Sequence, residues 1–396
     1  MISASVAFLE TPRTSYGSRI FASFDVLYRK SLPFKVSPVA STPIRYDERQ
    51  KHRQEVNMVV SRFGRKVLPG LLLCLAALPA WAAGKLVSLD VALGDVSLNK
   101  VSFLIAADAG IYAKNGLDVH QFITPGAAQV ARNSGIVVPA ENVKADIGDA
   151  PISIGGGSPM IYRVANGGGV HRIVLATSES IIRDHIIAST DIKSVADLKG
   201  KRLGYSVPGA VTHVGAVGFA KVMGWEPGKD ITLVGGGNAL NPLREGREDA
   251  LLGSGMLFSR ASDLKFKDLI DLTQYKIPVA GSSILAEKNW LAANRDTAAR
   301  FVKAALEADA LMKTNRGAFD AALVKWFNIK DTPTQQSMYR EAVDIPRKPY
   351  PAVEGIKSTL AIYDSPQMRK YKAEDFYDSS FIAALDKSGA IDRLYK

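Results

Sequence analysis

The chain has 396 residues, 47% of them hydrophobic and 22% charged, and its formal net charge at pH 7 is +11. This length predicts two or more domains, and the balanced composition excludes disorder throughout the chain. Residues 84–396 hold 38 Lys and Arg against 34 Asp and Glu, so their net charge is only +4. The charge is therefore poor support for nucleic-acid binding, and we expect no nucleic-acid partner.

Residues 58–83 have the composition of a secretory signal peptide. Three basic residues within 62–66 precede an apolar run over 67–80, and Ala80-Trp81-Ala82 matches a small-x-small cleavage site. The run is short for a permanent membrane span. We therefore predict export to the periplasm with removal of this segment; the alternative is a buried core helix.

Residues 1–57 show no sustained hydrophobic period. We interpret them as an unstructured extension from a start assigned too far upstream, with initiation near Met58. The alternative is an organelle-targeting extension, which a similar composition can produce.

Cys74 is the single cysteine, and it lies inside the apolar run of the predicted signal peptide. After cleavage the chain would contain no cysteine. Disulfides, cysteine nucleophiles and thiolate metal sites are then excluded.

Strands and helices alternate through the first half of the predicted mature chain. Strands are predicted over 86–94, 117–124, 144–148 and 171–176, and helices over 103–114, 127–133 and 159–166. This alternation predicts a parallel sheet with helices on both faces, and such sheets bind ligands beyond the carboxyl ends of their strands. The candidate ligand-binding residues after these strands are Ser97, Asn99, Asp149 and Ala150.

Three glycine triplets, at 155–157, 167–169 and 235–237, are predicted to be turns or close backbone approaches. None completes a dinucleotide-binding or phosphate-loop motif. We therefore expect no nucleotide cofactor, and no other cofactor is indicated.

Residues 194–216 contain the pattern around which the rest is organised. Ser194 can cap a short helical turn, a strand follows over 202–206, and Pro208-Gly209-Ala210 ends it before a helix over 211–223. The first amides of a helix lack partners and its dipole is positive there, so an anion can dock. The candidate ligand-binding residues here are Ser206, Gly209, Ala210, Thr212 and His213. The alternative is an ordinary strand–helix unit.

Other polar residues follow predicted strands. Arg183 could pair with a carboxylate or sulfonate, or else form a salt bridge at a lobe edge. Asn238 and Ser254 follow strands that begin at 231 and 251. The five histidines lack metal-ligand spacing, so we predict neither a metal site nor catalytic residues.

The segments Asp197-Leu198-Lys199-Gly200-Lys201 and Pro208-Gly209-Ala210 resemble a unit of the periplasmic substrate-binding proteins of nitrate/sulfonate/taurine-type ABC transporters. Further similar segments occupy residues 106–119, 145–148, 223–231 and 244–250. The resemblance extends from Leu86 to the carboxyl terminus. These proteins share their fold with the yeast thiamine-pyrimidine synthase and its NMT1-like relatives.

The resemblance implies an α/β fold of the periplasmic binding protein type II class, with two doubly wound lobes joined by a two-crossover hinge. Residues 84–190 and 280–396 would form lobe I, and residues 191–279 would form lobe II. The crossovers are expected near 189–193 and 277–283. A monomer would hold one small-molecule ligand in the cleft and deliver it to an ABC permease with its ATPase.

The expected ligand is a small anionic organic solute, such as a sulfonate, a nitrate-like ion or an aromatic carboxylate. Asp149 suits a cationic or hydrogen-bonding ligand better, which keeps a pyrimidine-like solute open. Gly253-Ser254-Gly255-Met256 replaces the aromatic residue and proline of many similar proteins, and this change suggests a roomier pocket. The alternative function is an enzyme that makes a pyrimidine precursor, but the synthase's cysteine-rich motif is missing.

Overall fold

The computed structural model describes residues 85–396 except 134, 145–149, 237–239, 254–256, 258–260, 262, 263 and 364. The described residues belong to one compact unit and contain two five-stranded sheets. They include no helix with the length and hydropathy that crossing a bilayer requires.

The first sheet, with the helices around it, forms lobe I. Its strands are β1 Val87–Leu93, β2 Leu117–Ile123, β3 Ile152–Gly156, β4 Arg172–Thr177 and β10 Ser282–Glu287. They lie in the order β2-β1-β3-β10-β4. Strand β1 is parallel to β2 and β3, whereas β10 is antiparallel to β3 and β4. Because β10 lies between two strands that precede it in sequence, the chain returns to lobe I late.

The helices of lobe I come from both ends of the described sequence. They are α1 Val101–Asp108, α2 Ile111–Lys114, α3 Pro125–Asn133, α4 Gly157–Ala165, α7 Lys288–Ala293, α8 Arg295–Thr314, α9 Arg316–Phe327, α10 Thr332–Val343, α11 Val353–Tyr363, α12 Ser380–Lys387 and α13 Ala390–Arg393. Phe301 of α8 is fully buried and stacks on Phe103 and Tyr112. The apolar side of α8 therefore forms part of the core of lobe I.

The second sheet forms lobe II. Its strands are β5 His185–Ala188, β6 Arg202–Tyr205, β7 Thr232–Gly235, β8 Ala250–Gly253 and β9 Lys267–Asp271, in the order β7-β6-β8-β5-β9. Helices α5 Val211–Val222 and α6 Asn241–Arg244 follow β6 and β7. Leu203 of β6 and Phe219 of α5 are fully buried in one apolar cluster, so α5 covers one face of this sheet.

The first crossover lies earlier than the sequence predicts. Strand β5 pairs with β8 and β9 of the second sheet, so the chain leaves lobe I between Thr177 and His185 rather than near 189–193. The two crossing segments run beside each other, with Ile182 donating to the Ile277 carbonyl at 2.9 Å and Val279 donating to the Ser180 carbonyl at 3.1 Å. A run as short as β5 carries no usable period, so only its tertiary pairing reveals its sheet.

Two local predictions need correction at glycine. Gly155 and Gly156 belong to strand β3 rather than to a turn, but the predicted close approach is present at Gly156, where an added Cβ would lie 2.6 Å from Pro159 Cγ. The single helix predicted over 103–114 is divided at Gly110, whose φ of 66° is left-handed. The strand predicted over 144–148 lies outside the described residues except for Lys144, which is not in a strand.

Candidate functional site

The starts of α4 and α5 face each other across the junction of the two lobes. A Cβ added to Gly156 would lie 3.4 Å from Val211 Cγ2, and one added to Gly209 would lie 2.4 Å from the ring of Tyr162. Gly209 also has a φ of 84°, which L side chains rarely adopt. Glycine is therefore needed at Gly209 for both its conformation and its contact with lobe I.

The local sequence explains how α5 is presented. Ser194 and Asp197 form a capping box at the turn Val195–Leu198, and Gly200 reverses the chain with a φ of 78°. Strand β6 then leads to α5, whose N-cap is Ala210. The predicted succession of turn, strand, glycine loop and helix is confirmed.

Several amides at this helix start already have protein partners. Thr212 Oγ1 accepts the Ser206 N–H at 3.0 Å and lies 2.8 Å from Ser206 Oγ. The Gly209 N–H donates to His213 Nδ1 at 3.2 Å, and the Ala210 N–H donates to the Val207 carbonyl at 3.1 Å. The His213 and Val214 amides both donate to the Ala210 carbonyl at 3.0 Å, so the amides of Val211 and Thr212 are those left to attract a negative group.

Four rings from separate elements, Tyr162, Tyr205, His213 and Tyr363, form what we call the tyrosine–histidine cluster. Tyr205 and His213 stack with centroids 4.2 Å apart, and Tyr162 lies 4.7 Å from Tyr363. The Tyr363 hydroxyl is 2.9 Å from His213 Nδ1. Burial lowers the pKa of His213 and raises the pKa of Tyr363. Of these four rings, only His213 was predicted from the sequence as a candidate ligand-binding residue.

The loop between β1 and α1 joins the second crossover through a buried lysine. Lys100 is fully buried, and its Nζ lies 2.5 Å from Asp95 Oδ2 and 3.1 Å from Ser282 Oγ. Glu179 accepts the Ser282 N–H at 3.2 Å, and burial raises the pKa of this carboxyl. No sequence signal links Glu179 with Lys100, because the two come together only through the crossover.

Two polar atoms of the same loop have no partner among the described residues. They are Asp95 Oδ1 and Ser97 Oγ, and both are buried. A buried acceptor or hydroxyl without a partner is costly, about 1–3 kcal/mol, unless water or a ligand satisfies it. Each of these two atoms therefore needs a water molecule or a ligand as its hydrogen-bond partner.

The remaining predicted residues have mixed placements. Asn99 Oδ1 accepts from Ser178 Oγ at 3.2 Å, close to the crossover. Arg183 lies on the crossover itself and donates to the Asp344 carbonyl at 3.1 Å. Ala150 is buried, and its carbonyl accepts from Arg172 at 2.8 Å, which is a structural role. The predicted residues that lie outside the described part of the chain are Asp149, Asn238 and Ser254.

Two other features of the described residues fall short of a ligand or metal site. A cavity of about 20 Å³ beside Asn99, Ser178 and Asp309 has room for about one water molecule rather than an organic ligand. Within the described residues, no group of three or more His, Cys, Asp or Glu side chains could hold a metal ion.

Comparison with known proteins assigns the chain to a protein family. A family model described as NMT1/THI5 like matches residues 98–318, more than half of the sequence. The chain belongs to the NMT1/THI5-like family. A protein of Haemophilus influenzae described as a putative thiamine biosynthesis protein is 25% identical to it over 260 residues, which are 63% of this chain and 76% of that protein.

Solved structures show the fold of this NMT1/THI5-like protein. The periplasmic nitrate-binding protein NrtA of Synechocystis PCC 6803 has a TM-score of 0.59 at 12% identity, covering 79% of this chain and 91% of NrtA. The periplasmic aliphatic sulphonate binding protein SsuA of Escherichia coli has a TM-score of 0.54 at 19% identity, covering 70% of this chain and 91% of SsuA. The α/β periplasmic binding protein fold predicted from the sequence is therefore confirmed.

Proposed function

We propose that this protein is the periplasmic substrate-binding component of an ABC importer and captures a small organic solute between its two lobes. The observation that carries the proposal is the junction itself. The start of α5 faces lobe I there, because Gly209 lies directly against the ring of Tyr162. The names of the nitrate- and sulphonate-binding structural relatives support the same role.

Hinge closure is the proposed mechanism. In the described part of the chain two segments connect the lobes, and they hydrogen-bond to each other between residues 180 and 279. A ligand that contacts Ser97 in lobe I and the first turn of α5 in lobe II favours the closed arrangement, because both sets of contacts exist only there. The closed form would then dock on a permease that works with its ATPase. This proposal assigns binding and release to the protein, with no chemical step.

We propose a small anionic solute, such as a sulfonate, a nitrate-like ion or an aromatic carboxylate, as the first ligand class. The positive end of the α5 dipole supports it. The amides of Gly209 and Ala210 are already engaged, so the grip on the anion would come from the amides of Val211 and Thr212 and from the hydroxyl of Ser97.

A second ligand class, a pyrimidine-like heterocycle, is favoured by a specific atom. The buried Asp95 Oδ1 can accept a hydrogen bond from a ring N–H or an amino group, which a bare anion does not offer. The relative described as a putative thiamine biosynthesis protein supports this class. An enzyme that makes such a ring is the corresponding catalytic alternative.

A thermal-shift panel on the purified protein tests these proposals with sulfonates, nitrate, aromatic carboxylates and pyrimidines. A true ligand at about a hundred times its dissociation constant adds about 2.7 kcal/mol to the free energy of unfolding. Ser97→Ala should weaken this shift, whereas Ser388→Ala, on the exposed end of α12, is the matched control. Mass spectrometry should recover the ligand unchanged. A compound that is consumed, with no compound raising the melting temperature, would refute binding as the function.

A further inference from the structure

A set of hydrogen bonds joins the two lobes at the start of α5. The Gly209 N–H donates to His213 Nδ1 at 3.2 Å, and the Tyr363 hydroxyl lies 2.9 Å from the same nitrogen. Gly209 and His213 belong to lobe II, whereas Tyr363 ends α11, which packs along α4 of lobe I. The Tyr363 ring packs against the apolar clusters of both lobes. One imidazole nitrogen thus receives contacts from both sides of the junction.

The amide determines the tautomer of His213. A backbone N–H can only donate, so Nδ1 must be the acceptor and the neutral ring must carry its proton on Nε2. The Tyr363 hydroxyl then shares the single lone pair of Nδ1 with the Gly209 N–H, which also donates to the Tyr363 oxygen. Protonation of Nδ1 would set two donors, the ring N–H and the Gly209 N–H, against each other at 3.2 Å. The hydroxyl can rotate to accept, but the amide cannot, so the ring must move away from the loop.

Among His213 and the rings that pack around it, His213 is the group that changes its charge as the pH falls. These rings are Tyr205 from β6, Tyr363 from α11 and, behind Tyr363, Tyr162 from α4. Burial raises the pKa of Tyr205 and of Tyr363, so both stay neutral. Burial is also the cause that lowers the pKa of His213, and no carboxylate or cation in the described part of the chain contributes to it. Histidine changes charge in the range of pH found around cells.

We propose that His213, Tyr363 and the Gly209 amide form a pH-sensitive latch between the lobes. Neutral His213 holds the lobes in the arrangement seen here, and protonated His213 loosens them. Because the pKa of the folded state is below the ordinary 6.5, the latch contributes fully above that pH. It is lost as the pH falls through the lower folded value.

Distance measurements between spin labels test the latch on the full chain without added solute. Labels are placed on cysteines at Lys114 of lobe I and Lys229 of lobe II, whose side chains are 73% and 74% exposed, with Cys74→Ser as background. As the pH is lowered from about 8 through the folded pKa of His213, we expect a roughly fivefold shift toward longer distances, the size expected for one hydrogen bond. Tyr363→Phe should show that shift already at about pH 8.

Two variants and one spectrum separate the latch from general acid effects. Tyr350→Phe removes a hydroxyl bonded to Asp386 in lobe I and should behave as the parent chain. His213→Phe keeps the stacked ring and should show no acid response of its own. If His213→Phe opens with acid as the parent does, or if nitrogen NMR shows the proton of neutral His213 on Nδ1, the latch is refuted. Neither measurement uses a ligand, so their outcome is independent of the proposed transport function.

Discussion

Glu248 is a buried acid whose replacement should change how lobe II responds to pH. Its side chain is only 3% exposed, and a Cβ added to Gly204 or Gly236 would lie 2.1 Å or 2.0 Å from its carboxylate oxygens. Its Oε1 has no partner among the described residues. Burial raises the pKa of this carboxyl from 4.5 to about 7, although Arg247 and Arg202 oppose the shift. Glu248→Gln keeps the shape and removes the titration.

The size of the effect follows from the pKa difference. Between pH 4.5 and about 7 the folded state binds the proton more tightly than the unfolded state, so stability falls as the pH rises. The full difference corresponds to about 3 kcal/mol, and the part between about pH 5 and about pH 8 to about 2.5 kcal/mol. The free energy of unfolding of the parent chain, relative to that of Glu248→Gln, should therefore decrease by that amount.

Urea denaturation of both proteins at several pH values measures this difference. Glu226→Gln is the matched control, because Glu226 is an exposed lobe II carboxylate whose side chain is 68% exposed. The control should follow the parent at every pH. If the free energy of unfolding of Glu248→Gln changes with pH in the same way as that of the parent chain, the buried carboxyl does not titrate as argued.

Three further substitutions test the packing that presents the site. Gly209→Ala should lower the melting temperature more than Gly228→Ala, because both have positive φ but only the first would collide with Tyr162; equal losses would contradict the contact. Phe301→Ala should reduce the free energy of unfolding by about 3–5 kcal/mol in urea, since the ring is fully buried in lobe I; a loss below about 1 kcal/mol would be inconsistent with that packing. Ser194→Ala should cost about 1 kcal/mol by removing the capping box, with no effect if the turn is held by other contacts.

The sequence by itself determined the local pieces of this protein. The turn at Ser194, the end of strand β6 before Pro208-Gly209-Ala210 and the start of α5 all follow from residue types within a few positions of each other. The apolar stripe of α8 likewise lies within one helix. Propensity, capping and periodicity act over short windows, and a single sequence displays them completely.

The tertiary structure alone decided which of these pieces meet. Strand β5 joins lobe II through antiparallel pairing with strands far along the chain. Tyr363 reaches His213 across 150 positions, and Lys100 reaches Ser282 across 182. Such contacts depend on how two sheets and their crossovers are placed in space. That placement is determined by packing interactions throughout the core. No short window contains it, so the latch and the buried lysine became visible only in the folded chain.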